Sequence, residues 1–282
     1  MKLALNGATT MRADLATDID AASAAGFDYL EIWAAKLRKF LKSHTTLELK
    51  SLLDERQLKP YSINSIEHIT FRNAEQQMAL LDECEELCRT AAEIDCPYIV
   101  VVPGPVPAAQ SRDEVIEESV RVLTQLSLIA AHYNVALAFE FLGQSGCSVQ
   151  TLALADEIVK QVALSNVGLV IDSFHFYAGG SSIASIKALD PARLFIFHIN
   201  DAEDLPREQL EDRHRLLPGL GILPLKEIVG ALAGIGYDGV VSVEIFRPEY
   251  WERDPFQLAL DARAATLRVL NERADDKAGA EA

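Results

Sequence analysis

Four polar residues end four apolar runs: Glu140 in ALAFE, Asp172 in VGLVID, His198 in LFIFH and Glu244 in VVSVE. Side chains alternate between faces along an extended strand. Ala136, Ala138 and Glu140 therefore share a face, as do Gly168, Val170 and Asp172, then Leu194, Ile196 and His198, then Val240, Ser242 and Glu244. All four polar ends can point inward together. Three carboxylates that converge without a counter-charge repel and raise one another's pKa, and a divalent cation is the natural compensation. Three oxygen donors and one imidazole suit Mn²⁺, Zn²⁺, Co²⁺ or Mg²⁺, and the residue types do not choose among them. Any one of these residues could instead cap its strand or bond a neighbouring loop. It is the matching register of all four that favours a metal site.

The elements that must position these residues are legible as repeats. β-Branched runs alternate with longer amphipathic stretches, the pattern of successive βα units around a parallel sheet. Eight strands are predicted: Leu3 to Asn6, Tyr29 to Ile32, Pro60 to Asn64, Tyr98 to Val102, Ala136 to Phe141, Val167 to Asp172, Leu194 to Ile199 and Gly239 to Glu244. Between them, ADLATDIDAASAAG reads as a helix stopped by Gly26, and SRDEVIEESVRVLTQLSLIAAHYN as a helix with Ser111 at its N-cap. With 282 residues against the roughly 250 typical of an eight-fold β/α barrel, the expected fold is α/β, a single (β/α)8 TIM barrel. No linker or shift in composition divides the chain. The expected catalytic domain is residues 1–272, followed by a flexible tail at 273–282.

Composition narrows the partners. The formal charge is −16, with 42 acidic against 26 basic residues, which opposes binding to the nucleic-acid backbone and favours a small molecule. MKLALNGATT lacks the features of a signal peptide and no segment approaches a membrane span, so a cytoplasmic protein with no membrane partner is expected. The oligomeric state is open, a homo-oligomer included. Cys84, Cys88, Cys96 and Cys147 show no disulfide framework and are read as reduced. The turn Pro218-Gly219-Leu220-Gly221 lacks the glycine pattern and lysine of a phosphate loop and is read as a loop turn. Trp33, Phe71, Phe176, Tyr250 and Trp251 lie near predicted strand ends, where they could wall a pocket or simply pack.

The four strand ends, together with DSFHFYAGG, HIND and VSVEIFRPEYW, resemble the xylose-isomerase-like TIM-barrel superfamily of sugar isomerases and epimerases. MKLALNGATT, LKPYSIN and NVGLVIDSFHFYAGG look like its inosose-isomerising branch, so the likeness covers nearly the whole chain. The resemblance implies metal ligands at Glu140, Asp172, His198 and Glu244. It also implies substrate contacts by His175, three residues after the aspartate, and by Arg215 in RLLPGLG. A histidine packed as a loop donor, and an arginine paired at the surface with the acidic stretch 208–212, are the plainer readings of those two.

The reaction implied is isomerisation of a cyclic polyol ketone such as 2-keto-myo-inositol through a metal-stabilised enediolate, with Glu140 and Glu244 as the proton-moving pair. The same site would serve an inosose or dehydroshikimate-type dehydratase or a ketose 3-epimerase. An apurinic-site endonuclease would use His68 and the Asp212-Arg213-His214 triplet for further zinc ions, but the fourth strand ends VVVPGP where that class needs a histidine.

Overall fold

The computed structural model describes residues 1–280, with side chains through Glu272, so the tail expected at 273–282 lies outside the fully described residues. Ten strands occur among the described residues: β1 (Lys2–Asn6), β2 (Tyr29–Trp33), β3 (Lys59–Ile66), β4 (Tyr98–Val101), β5 (Ala136–Glu140), β6 (Val167–Asp172), β7 (Leu194–Ile199), β8 (Asp201–Ala202), β9 (Arg215–Leu216) and β10 (Val240–Val243). Eight of them close a parallel barrel in the order β1-β10-β7-β6-β5-β4-β3-β2. The helices are α1 (Leu15–Ala25), α2 (Ala34–Phe40), α3 (Thr46–Glu55), α4 (Ala74–Glu93), α5 (Arg112–His132), α6 (Leu152–Val162), α7 (Ser173–Ala178), α8 (Ile183–Lys187), α9 (Leu225–Gly234), α10 (Pro248–Trp251) and α11 (Pro255–Ala280). The expected (β/α)8 barrel is the observed fold, with strand bounds shifted by one or two residues at most.

Local signals set the helix ends. Gly26 ends α1 in the left-handed region at φ 81, where a side chain is disfavoured, and its N–H closes onto Ala22 and Ser23. Ser111 opens α5 in a capping box with Glu114. The four cysteines are free thiols, Cys84 and Cys88 facing each other inside the core.

The barrel interior is layered. Tyr29, Tyr61, Tyr98 and Phe195 form a chain of ring contacts, with centroids 4.9 to 5.1 Å apart, at the end where the strands begin. Above it Val100, Val102, Ala138, Val170 and Ile196 fill the centre. The polar strand ends lie above that. The alternation predicted for β7 fails at its start: the pairing with β6 jumps from Leu194 to Ile196, which leaves Phe195 as an extra residue. Leu194 joins the outer core while Phe195 packs inside. Gly168 opposite makes room for the bulge, since a Cβ there would come 2.5 Å from the Phe195 ring.

The loop after β1 is tied down by a buried ion pair. Lys36 Nζ on α2 lies 2.7 and 2.9 Å from the two oxygens of Asp18 on α1 and also donates to the carbonyls of Gly7 and Thr10. Burial pushes Asp18 up to about 7 and Lys36 down, but four acceptors around one ammonium keep the pair satisfied. Lys36→Met, which strands the Asp18 carboxyl, should lower unfolding free energy by about 3–5 kcal/mol in a denaturant titration. A loss in the range of a surface pair, about 1 kcal/mol or less, would show that the contact is dispensable.

Candidate active site

Glu140, Asp172, His198 and Glu244 come from β5, β6, β7 and the residue after β10, which are neighbours in the barrel. All four are buried, and one donor atom from each lies within 4.8 Å of the others. His198 Nδ1 faces Glu140 Oε1 at 2.9 Å and Glu244 Oε2 at 3.3 Å. Burial, reinforced by the neighbouring Glu244 and Asp172 and only partly offset by His198, pushes Glu140 up to about 8. Such crowding of acceptors around an imidazole nitrogen fits a first-row divalent ion.

The expectation of carboxylates without a counter-charge needs correction. The hairpin of β8 and β9, absent from the expected elements, folds back over the barrel mouth and delivers Arg215 into the cluster. Arg215 Nη1 donates to Asp172 Oδ2 at 2.7 Å and to Glu244 Oε2 at 3.2 Å. Nε bonds Asp212 at 2.9 Å, and Nη2 meets Asp212 at 2.8 Å and His175 Nε2 at 3.0 Å. The acidic stretch 208–212 does supply a partner, Asp212, but the guanidinium is 1% exposed rather than at the surface. Four of its five N–H groups donate to acceptors inside the protein, and the fifth lies in the ion pair with Asp212.

An arginine can only donate, so His175 Nε2 accepts and the ring proton resides on Nδ1. That buried Nδ1 has no protein partner. Asp172 caps α7, its Oδ1 accepting from the backbone N–H of His175 at 2.8 Å. Burial works to raise Asp172, but the Arg215 guanidinium and the backbone N–H of His175 help hold its carboxyl below the ordinary value.

Four supporting residues were missed by a search for charged strand ends. Asn6 and Asn64 both donate to Glu244 Oε1, at 3.1 and 2.8 Å. Asn200 donates to Asp172 Oδ2 at 2.7 Å. Glu31 places both oxygens near His198 Nε2, at 3.1 and 3.0 Å. The signal for Asn6 and Asn64 was present, because each closes a predicted strand. For Glu31 it was a lone acid inside the apolar run YLEIW.

The cluster opens into a cavity of about 250 Å³. Glu140, His175, Arg215 and Glu244 line it on one side, and Trp33 of β2, Asn64 and Ser65 of β3, and Glu67, His68 and Val102 from the loops after β3 and β4 line the other. Of the five aromatic residues expected near the pocket only Trp33 lines it, joined by Phe246 at a ring distance of 5.5 Å. Phe176 is buried in the core, Trp251 donates to the carbonyl of Ala8, and Phe71 and Tyr250 line other hollows. His68 is exposed at the rim, and His214 caps its own turn at Glu211. Neither joins the metal-ligating group. The Pro218–Gly221 segment is a loop turn, held by Asp201 accepting from the N–H groups of Gly219 and Leu223.

A closed parallel barrel with three carboxylates and an imidazole converging at its mouth defines a metal-site TIM barrel. The chain belongs to the xylose isomerase-like TIM barrel family, whose model matches residues 19–268. It is 37% identical over 273 residues to inosose isomerase of Halalkalibacterium halodurans, covering 96% of this chain and 97% of that one. With inosose isomerase of Bacillus subtilis (strain 168) the identity is 38% over 273 residues, covering 96% and 98%. The crystal structure of the IOLI protein with a bound zinc atom superposes with a TM-score of 0.94 at 37% identity, covering 97% of this chain and 99% of that one. Among the described residues no helix is long and apolar enough to cross a membrane.

Proposed function

We propose that this chain is a divalent-metal-dependent isomerase of a cyclic polyol ketone, with 2-keto-myo-inositol as the first substrate to test. The convergence of Glu140, Asp172, His198 and Glu244 in one cavity carries the reading, supported by end-to-end likeness to inosose isomerases. The four residues would hold one divalent ion, zinc being the one named for the similar structure. A bound divalent ion supplies Lewis-acid polarisation of the ketone and of the negative charge that develops on proton removal.

The chain's own groups divide the remaining work. Oε1 of Glu140 faces His198 Nδ1 on the side of the ligand cluster, so its second oxygen is the group best placed to take the proton from the carbon beside the carbonyl. Both oxygens of Glu244 are held by Asn6, Asn64 and Arg215, which fix that carboxylate across the cavity as the partner in proton return. His175 Nδ1–H, lacking a protein acceptor, would donate to a substrate oxygen. Arg215 aligns Asp172, Glu244 and His175 through hydrogen bonds from Nη1 and Nη2.

The test is product analysis of 2-keto-myo-inositol in D₂O. The expected result is an isomeric ketone of unchanged composition, carrying deuterium at the enolised carbon when the proton exchanges with solvent. A product lighter by one water would replace the reading with dehydration, and faster epimerisation of a linear ketose would move it to the epimerases.

A further inference from the structure

Glu31 is outside the ligand set, yet it is the group that His198 faces on its far side. It stands on the inner face of β2, separated from β7 in the barrel order by β1 and β10. Its side chain is fully buried. Both oxygens lie within hydrogen-bond distance of His198 Nε2, and Asn64 Nδ2 donates to Oε1 at 3.2 Å. The ring is therefore clamped between two sets of carboxylates: Glu31 at Nε2, and Glu140 with Glu244 at Nδ1. An imidazole lends one nitrogen to a metal while the other keeps a proton, and the acceptor beside that proton decides which nitrogen is which.

We propose that Glu31 is a positioning residue that holds the His198 proton on Nε2, so that Nδ1 is the nitrogen presented to the metal. The proposal rests on the metal-site reading above. Asn64 couples the two shells: its amide donates to Glu31 and also, at 2.8 Å, to Glu244. The orientation of a ligand histidine and of a ligand glutamate is thus fixed by one shared network.

The experiment uses zinc as the probe and the full chain. In the zinc-loaded parent protein, ¹⁵N spectra of His198 should show zinc at Nδ1 and a proton on Nε2. Competition with a chromophoric chelator should give zinc affinities about 10-fold weaker for Glu31→Gln, which keeps an acceptor for Nε2–H. They should be about 100-fold weaker for Glu31→Ala, spanning the range seen when such partners are removed. This graded loss with partial rescue by glutamine separates positioning from general destabilisation, which metal-free melting curves record independently. Zinc on Nε2, or parent-like affinity in Glu31→Ala, overturns the proposal alone. Absence of zinc binding by the parent overturns it together with the metal-site reading. Should Glu31→Ala fail to fold, the parent spectrum and Glu31→Gln decide.

Discussion

Stripped of divalent metal, with removal verified by elemental analysis, the protein should lose at least about 1,000-fold in turnover of 2-keto-myo-inositol, because Lewis-acid stabilisation of the developing oxyanion is worth several kcal/mol and each 1.36 kcal/mol is a factor of ten. Re-addition of zinc or manganese should restore it. Asp172→Asn should weaken metal binding more than His175→Gln. Asp172 offers its oxygens to the cluster and is itself braced by Arg215 and Asn200, whereas the ring of His175 meets Arg215. Undiminished turnover in protein holding far less than one metal per chain would refute the assignment. Equal metal loss in the two variants would place His175 among the ligands.

The second large effect concerns proton transfer. Glu140→Gln conserves volume and an oxygen ligand but removes the titrating group, and turnover should fall by about 10² to 10⁴, the usual contribution of a positioned acid or base. Burial and neighbouring carboxylates push Glu140 up to about 8, so its carboxyl is poised to exchange a proton near neutrality. Bound metal must be measured beside turnover, since loss of a ligand would imitate loss of a base. A variant that keeps its metal and turns over normally would remove Glu140 from the chemistry.

What the sequence made legible follows from which interactions are local. Alternation along ALAFE or VVSVE decides the inward face of Glu140 and Glu244, and Ser111 or Gly26 decides a helix end, each within a handful of residues. Contacts that depend on two distant segments were less visible. Arg215 reaches Asp172 only because β8 and β9 pair across the mouth, and two-residue strands have no periodicity to detect. The bulge at Phe195 depends on the glycine at position 168, another strand's residue. Glu31, inside the predicted strand Tyr29 to Ile32, drew no reading from the sequence because its partner, His198, lies 167 positions away.

The placement of ligands and walls around the barrel has an evolutionary corollary. The four clustered donors occupy one contiguous arc, β5, β6, β7 and the end of β10, whereas Trp33, Ser65, Glu67, His68 and Val102 reach the cavity from the opposite arc. Chemistry and substrate choice are thereby modular. Residues 65–68 and Val102 can diversify without removing a clustered donor, whereas drift on the other arc strikes the reaction itself. A lineage can thus acquire new ketones by remodelling part of the rim, and directed evolution of specificity would best confine its randomised codons to 65–68 and 102, sparing Asn6, Glu31 and Asn64, which support Glu244 and His198 from the same arc.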